Sequence, residues 1–219
     1  MTVRRTLTGF SVLIIAAMLG IAWWAWGQLP PDARIAIHWG LSGEPDGFAG
    51  RASLFFLPGF ATVLACVLYA LPALEPRKVH FLQSSKFYAV SWGGVMTVLA
   101  MAQLSIVLNA LDLATFRPRA IILVLGVLFM VLGNYLSKTR SNFMMGVRTP
   151  WTLSSELSWR KSNRLAAWIM VAWGFATLVV GFVAVKAFLP VLIAGIVALL
   201  AVPLPYSYFV WRSDPDRPR

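Results

Sequence analysis

This chain has little charge, almost no cysteine and few histidines, and each scarcity excludes a class of protein. Charged residues make up 12% of it and hydrophobic ones 59%, far from the roughly 25% charged composition of a soluble globular domain. The single cysteine, Cys66, rules out an intramolecular disulfide and any cysteine-based metal or redox motif. There is no G-x-S-x-G elbow, Walker loop, H-E-x-x-H, G-x-G-x-x-G or C-x-x-C, so the common hydrolase, nucleotide-binding and metalloprotease signatures are missing. Acidic residues are also scarce, eight against nineteen basic, for a net charge of +11.

What the chain has instead is apolar length. Six runs, residues 8 to 27, 52 to 74, 88 to 110, 118 to 136, 165 to 185 and 187 to 211, each reach or approach the about 20 residues that cross a hydrocarbon layer about 30 Å thick. The expected fold is all-α, a polytopic membrane protein of six transmembrane helices, because a helix satisfies its own backbone hydrogen bonds in lipid. Arg4 and Arg5 precede the first run, as in a secretory signal. That run, however, ends in W-W-A-W-G-Q without an A-x-A cleavage pattern, so it reads as a retained span.

Lysine and arginine then set the expected orientation. With both termini cytoplasmic, the inner side collects Arg4, Arg5, Arg77, Lys78, Lys86, Lys138, Arg140, Arg148, Arg160, Lys161, Arg164, Arg212, Arg217 and Arg219, leaving Arg34, Arg51, Arg117, Arg119 and Lys186 outside. The net charge therefore reads as positive-inside bias. No basic extramembrane domain is present to hold nucleic acid.

Two loops are long enough to carry specificity. The outer one reads QLPPDARIAIHWGLSGEPDGFAGR, residues 28 to 51. Pro30 and Pro31 end the first span, I-A-I-H-W suits a short extended segment, and E-P-D-G suits a turn, with Pro45 at its first central position. His38, Glu44 and Asp46 raise the thought of a metal or acid–base site. Their spacing matches no ligand signature, so a packed loop histidine and a turn aspartate are the preferred reading.

The inner loop is the most informative stretch: GNYLSKTRSNFMMGVRTPWTLSSELSWRKSNR, residues 133 to 164. From Lys138 to Pro150 it reads as irregular, with Gly146 supplying conformational freedom and Pro150 disfavouring helix just before it. A helix is expected to follow, with Thr152 as N-cap and Glu156 in its first turns. On that helix Glu156, Arg160, Asn163 and Arg164 share one face, and Leu153 and Leu157 another. Two roles stay open: an interfacial anchor with Trp151 and Trp159 as belt residues, or a docking surface for a protein or peptide.

Within the spans the polar signals are thin. Gln103 and Asn109 mark the third span, and Gln103 reads as interhelical glue more readily than as part of a pathway. Ala167, Gly174 and Gly181 recur every seven positions in the fifth span, as do Gly126 and Gly133 in the fourth, which suggests that these two helices pack closely. Pro190, Pro203 and Pro205 are expected to bend or interrupt the sixth.

These two loops carry a resemblance. The outer segment resembles the small domain, with its P-x-H-W/F-x-x-x-G-x-P-D-G pattern, near the N-terminus of the SdpI family of bacterial membrane immunity proteins. The inner segment is similar to that family's C-terminal signature: a G-N-Y/F start, an N-x-x-x-G-x-R-T-P-W-T-L core and a W-R-K-x-x-R end. By position the resemblance marks Gly133, Asn134, Asn142, Gly146, Arg148, Thr149, Pro150, Trp151, Thr152, Trp159, Arg160 and Arg164 as the inner, partner-binding motif. It marks Pro31, His38, Trp39, Gly43, Pro45, Asp46 and Gly47 as the outer one.

The resemblance implies a non-enzymatic immunity protein of the bacterial cytoplasmic membrane, protecting against a secreted peptide or protein toxin. It also implies a signalling role in which a cytoplasmic repressor is captured. No cofactor and no metal are expected. A small-molecule or lipid transporter, suggested by the polar third span and the prolines of the sixth, is the alternative. A membrane enzyme using His38, Glu44 and Asp46 on a lipid or envelope precursor comes third. The expected organisation is residues 1–75 with the outer loop, 76–136, the signature loop 137–164, and 165–219 with the last two spans.

Overall fold

A computed structural model describes residues 2–40, 44–113 and 119–217; Gly43, Arg117 and Arg219 lie outside them. Six helical stretches, Val3–Gln28, Arg51–Leu74, Ser85–Ala110, Arg119–Leu136, Glu156–Val183 and Val185–Arg212, are long and apolar enough to cross a membrane. They match the six runs read from the sequence. Among the described residues the fold is all-α apart from one small hairpin, and the chain forms two compact units, Met1–Tyr69 with Trp92–Val124, and Ala70–Ser91 with Leu125–Arg219.

The first unit contains α1 (Thr2–Gln28), strands β1 (Arg34–Trp39) and β2 (Pro45–Gly50), a 3-10 turn (Arg51–Phe55), most of α2 (Phe56–Leu74) and most of α4 (Ser85–Ala110). Ala22 and Ala25, small enough to let neighbours approach α1, are fully buried with Ile35, Leu54 and Val107. Two buried polar contacts fix these elements. The Trp92 indole N–H donates to Ser11 Oγ at 2.8 Å, and the Gln103 amide donates to the Leu54 carbonyl at 2.9 Å. Gln103 is thus a tie between α4 and the 3-10 turn, the glue expected of it.

The hairpin pairs β1 with β2 antiparallel, with Ala36 opposite Phe48 and Trp39 opposite Pro45. The expected extended segment I-A-I-H-W is β1. The expected E-P-D-G turn is not formed: Pro45, Asp46 and Gly47 lie in β2, and the Gly40 N–H donates to the Glu44 carbonyl at 2.9 Å. Proline is tolerated there because it opens the strand, where no ladder donor is needed. Gly47 is demanded by proximity, since a Cβ would stand 2.9 Å from the His38 Cβ.

The second unit contains α3 (Lys78–Gln83), the first turns of α4, most of α5 (Arg119–Leu136), α6 (Pro150–Ser154), α7 (Glu156–Val183), α8 (Phe188–Ala201) and α9 (Pro203–Arg212). The glycine spacing has the expected consequence. A Cβ on Gly174 would lie 2.6 Å from the Gly126 carbonyl, and one on Gly133 would lie 2.8 Å from the Ala167 carbonyl, so α5 and α7 meet backbone to backbone. Phe129 stacks on Trp173 beside this seam, ring centroids 4.0 Å apart. The sixth stretch breaks at one of its three prolines, α8 ending at Ala201 and α9 starting at Pro203, while Pro190 and Pro205 sit in the first turns of α8 and α9.

The 28 residues of α7 give a rod of about 42 Å, longer than the about 30 Å hydrocarbon layer. One end therefore projects beyond the lipid, and its first turns are where the polar loop attaches. Outward-facing apolar side chains such as Trp168, Phe175 and Phe182 suit a lipid-facing surface. Gly174→Leu is expected to lower stability by about 3 kcal/mol through overpacking at the α5–α7 seam. Thermal unfolding in detergent measures this, with Gly9→Ala, which meets nothing within 4 Å, remaining near wild type.

Candidate functional site

The loop from Lys138 to Thr149 has no regular secondary structure, so its amides and carbonyls need partners from elsewhere. Asn142 supplies the first set: its Oδ1 accepts the Met144 and Met145 N–H groups at 2.9 and 2.8 Å, and its Nδ2 donates to the Arg140 carbonyl at 2.7 Å. The side chain therefore holds the turn it sits in, as short amides do. Gly146 then takes φ +95, and a side chain there would run into the Asn163 amide. With the space left open, Asn163 Oδ1 accepts the Val147 N–H at 2.8 Å. The buried Trp159 donates its indole N–H to the Thr139 carbonyl at 2.9 Å.

The helix starts differ from the expected one. Pro150 occupies the first turn of α6 and Thr149, extended at φ −105, is its N-cap. Thr149 and Thr152 form a reciprocal capping box, each backbone N–H donating to the other's hydroxyl. Thr152 is thus the third residue of α6, and the cap of the long helix is Ser155, whose Oγ accepts the Ser158 N–H at 2.9 Å. Proline favours the first helical position, which moves the start upstream of Thr152.

The amphipathic face is corrected too. Glu156, Arg160 and Arg164 are exposed, but Asn163, close to Glu156 around the helix, is buried under the loop, as are Ser158, Trp159 and Ser162. Trp159 is a core residue of the loop and no belt residue. Trp151 is half-buried, edge-on to the Tyr208 ring at 5.2 Å.

Several residues that carried no sequence signal complete the site. Glu75 is buried at the end of α2, its two oxygens accepting the Arg77 N–H at 2.8 Å and the Phe143 N–H at 2.9 Å. The Arg77 guanidinium donates to Ser141 Oγ and to the Leu153 carbonyl and lies over the Phe143 ring. His80 Nδ1 lies 2.8 Å from the Ser141 carbonyl, and Ser84 Oγ accepts the Arg140 N–H at 2.9 Å. On the other flank Ser158 donates to the Ser207 carbonyl at 2.8 Å, and the hydroxyls of Thr149 and Ser207 are 3.0 Å apart.

Ser155 also donates to Asp214 Oδ2 at 2.5 Å. That hydroxyl, with the Asp216 N–H on Oδ1, holds the Asp214 carboxyl below its usual value, outweighing the opposite push of burial.

The inner motif therefore divides. Asn142, Gly146, Thr149, Thr152 and Trp159 are turned inward or spent on the loop's own bonds. Asn134, Arg148, Pro150, Arg160 and Arg164 are exposed, as are Lys138, Arg140 and Lys161. Arg148 is steadied by a 2.7 Å bond to the Phe143 carbonyl, and the Asn134 amide oxygen accepts from the Lys138 ammonium at 3.2 Å.

In the first unit, the outer motif presents an exposed pair, His38 Nδ1 2.5 Å from Asp46 Oδ1, with Pro31 and Pro45 exposed and Trp39 half-buried. Asp46 is thus a strand residue facing His38 and no turn residue. Among the described residues no group of three or more His, Cys, Asp or Glu is placed to hold a metal.

Comparison with known proteins accounts for this division of the chain. The model of the SdpI/YfhL protein family matches residues 138–207, from the start of the loop to the serine that Thr149 and Ser158 engage. The chain is also 23% identical over 181 residues, 82% of its length and 84% of the relative's, to the immunity protein SdpI of Bacillus subtilis (strain 168). The similarity to the SdpI/YfhL family thus covers the signature loop and the helices that follow it. A domain of unknown function, DUF1648, matches residues 13–62, the stretch from α1 through the hairpin into α2. No solved structure gives a significant match. With six described helices long and apolar enough to span a bilayer, it is a multi-pass membrane protein.

Asp214 gives the site a pH signature. Its folded pKa lies below the ordinary 3.8, so the Ser155 clasp adds stability above the unfolded value and loses it as pH falls through the folded one. The stability gap between wild type and Asp214→Asn, read as unfolding temperature, is expected to shrink as pH drops below 3.8.

Proposed function

We propose that this chain is a non-enzymatic immunity protein of a bacterial cytoplasmic membrane, protecting the cell against a secreted peptide or protein toxin. The outer hairpin engages the toxin, and the loop of residues 138–164 docks a cytoplasmic repressor. The observation that carries this reading is the division of the signature loop. Its inward residues build an ordered platform, and the residues left exposed are predominantly cations.

Such a platform suits a partner with acidic or carbonyl-rich docking elements, because an arginine held by a neighbouring carbonyl, as Arg148 is, loses less freedom on binding. The outer hairpin supports the other half of the proposal. It exposes Ile37 and Phe48, with the Arg34 guanidinium 5.5 Å from the Phe48 ring centroid, an apolar and cationic surface of the type used in peptide recognition. The relative's name, immunity protein, agrees with this reading. Gln103, the residue that most suggested a transport pathway, is engaged in packing.

Two outcomes are expected. Arg148→Ala and Arg160→Ala should each abolish toxin survival or repressor-dependent induction while leaving the amount of membrane-inserted protein unchanged; protection equal to wild type would count against the docking role. The sidedness is read in a Cys66→Ala background with a thiol at the exposed Ser154. An impermeant maleimide should leave it unlabelled in intact spheroplasts and label it once they are broken.

A further inference from the structure

A groove of about 380 Å³ runs between α5 and α7 in the second unit. Its floor exists because Gly133 and Ala167 bring the two helices together. Met130, Val171 and the 66% exposed Trp168 form apolar walls. Its mouth carries Asn134 and Arg164, at the end of α5 from which the polar loop departs.

From Asn134 to Met130 the groove descends about 6 Å along α5 at about 1.5 Å per residue, from the polar loop into the apolar span. Its lower part therefore faces lipid when the helices cross a bilayer. The mouth has a different chemistry. No carboxylate lines it, and among the described residues no hydrogen bond or ion pair engages the Arg164 guanidinium. The Lys138 ammonium lies 3.2 Å from the Asn134 amide oxygen, which adds a second cation at the rim and leaves the Asn134 NH2 free to donate.

We propose that this groove binds one anionic phospholipid from the leaflet on the loop's side. Its phosphate sits against Arg164 and the Asn134 amide, and one acyl chain lies along Met130, Val171 and Trp168. An arginine fork is matched in shape and charge to a phosphate, and cationic pockets between helices at this depth suit such headgroups. The groove's amphipathic order selects a lipid over a soluble phosphate ester, because the apolar walls would otherwise remain in contact with water or with non-selective tails. A bound lipid would also shield the α5–α7 seam directly beneath the signature loop. The groove uses Asn134 and Arg164 of the same motif but neither Arg148 nor Arg160, and its test does not read immunity.

The full chain, purified in detergent, is titrated with phosphatidylglycerol, phosphatidylcholine or glycerol 3-phosphate, and bound copies are counted by native mass spectrometry. Wild type is expected to prefer phosphatidylglycerol over phosphatidylcholine by about fivefold, the worth of one cation near an anionic headgroup. Arg164→Gln should lose that preference. Lys86→Gln, which removes the same charge from an exposed position outside the groove, should keep it. Equal binding of the two lipids, equal loss in both variants, or displacement of phosphatidylglycerol by glycerol 3-phosphate at matched concentration would each overturn the proposal.

Discussion

The hydrogen bond from the Val147 N–H to the Asn163 side chain, made across the space that Gly146 leaves open, is the constraint on which the second unit turns. A dozen residues without helix or strand have to satisfy their backbone at the edge of a membrane, where an unpaired amide is costly. Here the first turns of α7 do this from one side through Asn163 and Trp159, and Glu75, Arg77 and Ser84 do it from the other. The loop's backbone groups are thereby tied to the helices on either side of it.

That constraint explains the unusual wording of the signature. A glycine with positive φ, an asparagine two and three residues from the amides it caps, a threonine followed by proline and another threonine, and a tryptophan whose indole must reach a carbonyl each meet a local geometric demand. Little of the motif is free for chemistry. The exposed positions within it are chiefly cations, so the surface on offer is electrostatic, set by scaffold residues that never reach it. The outer hairpin follows the same pattern in small: Gly47 allows two strands to close up, and His38 and Asp46 are left facing each other in the open.

The relation between signature and fold also bears on the α5–α7 seam. Gly126, Gly133 and Gly174 pull the helices together, and the long helix that results both spans the bilayer and carries the loop's anchors outside it. Packing in the membrane and order in the loop are thus mechanically one feature. A substitution that parts the seam would loosen Asn163 and Trp159 as well, although neither touches it.

Much of this architecture was legible in the residues. Apolar length gave the six spans, glycine spacing the α5–α7 contact, prolines the break in the last stretch, and β-branched character the first strand of the hairpin. Local patterns misled where a competing demand won. Thr152 looks like an N-cap until Pro150 claims the first turn, and E-P-D-G looks like a turn until Pro45, Asp46 and Gly47 pair with the first strand. Asn163 looks exposed by helical spacing, because a helical wheel cannot tell an outward polar face from one that serves a neighbouring loop.

Sequence alone determined which segments enter lipid and which residue types gather in the loops, since hydrophobic length and backbone stereochemistry are local properties. Only the tertiary structure decided what the loop residues do. Arg77 meets Leu153 across 76 positions and Ser155 meets Asp214 across 59, and contacts over such separations leave no periodic trace in the chain. They arise because the helices return these segments to the same end of the unit, where each buried polar group bonds to whatever partner the packing brings within reach.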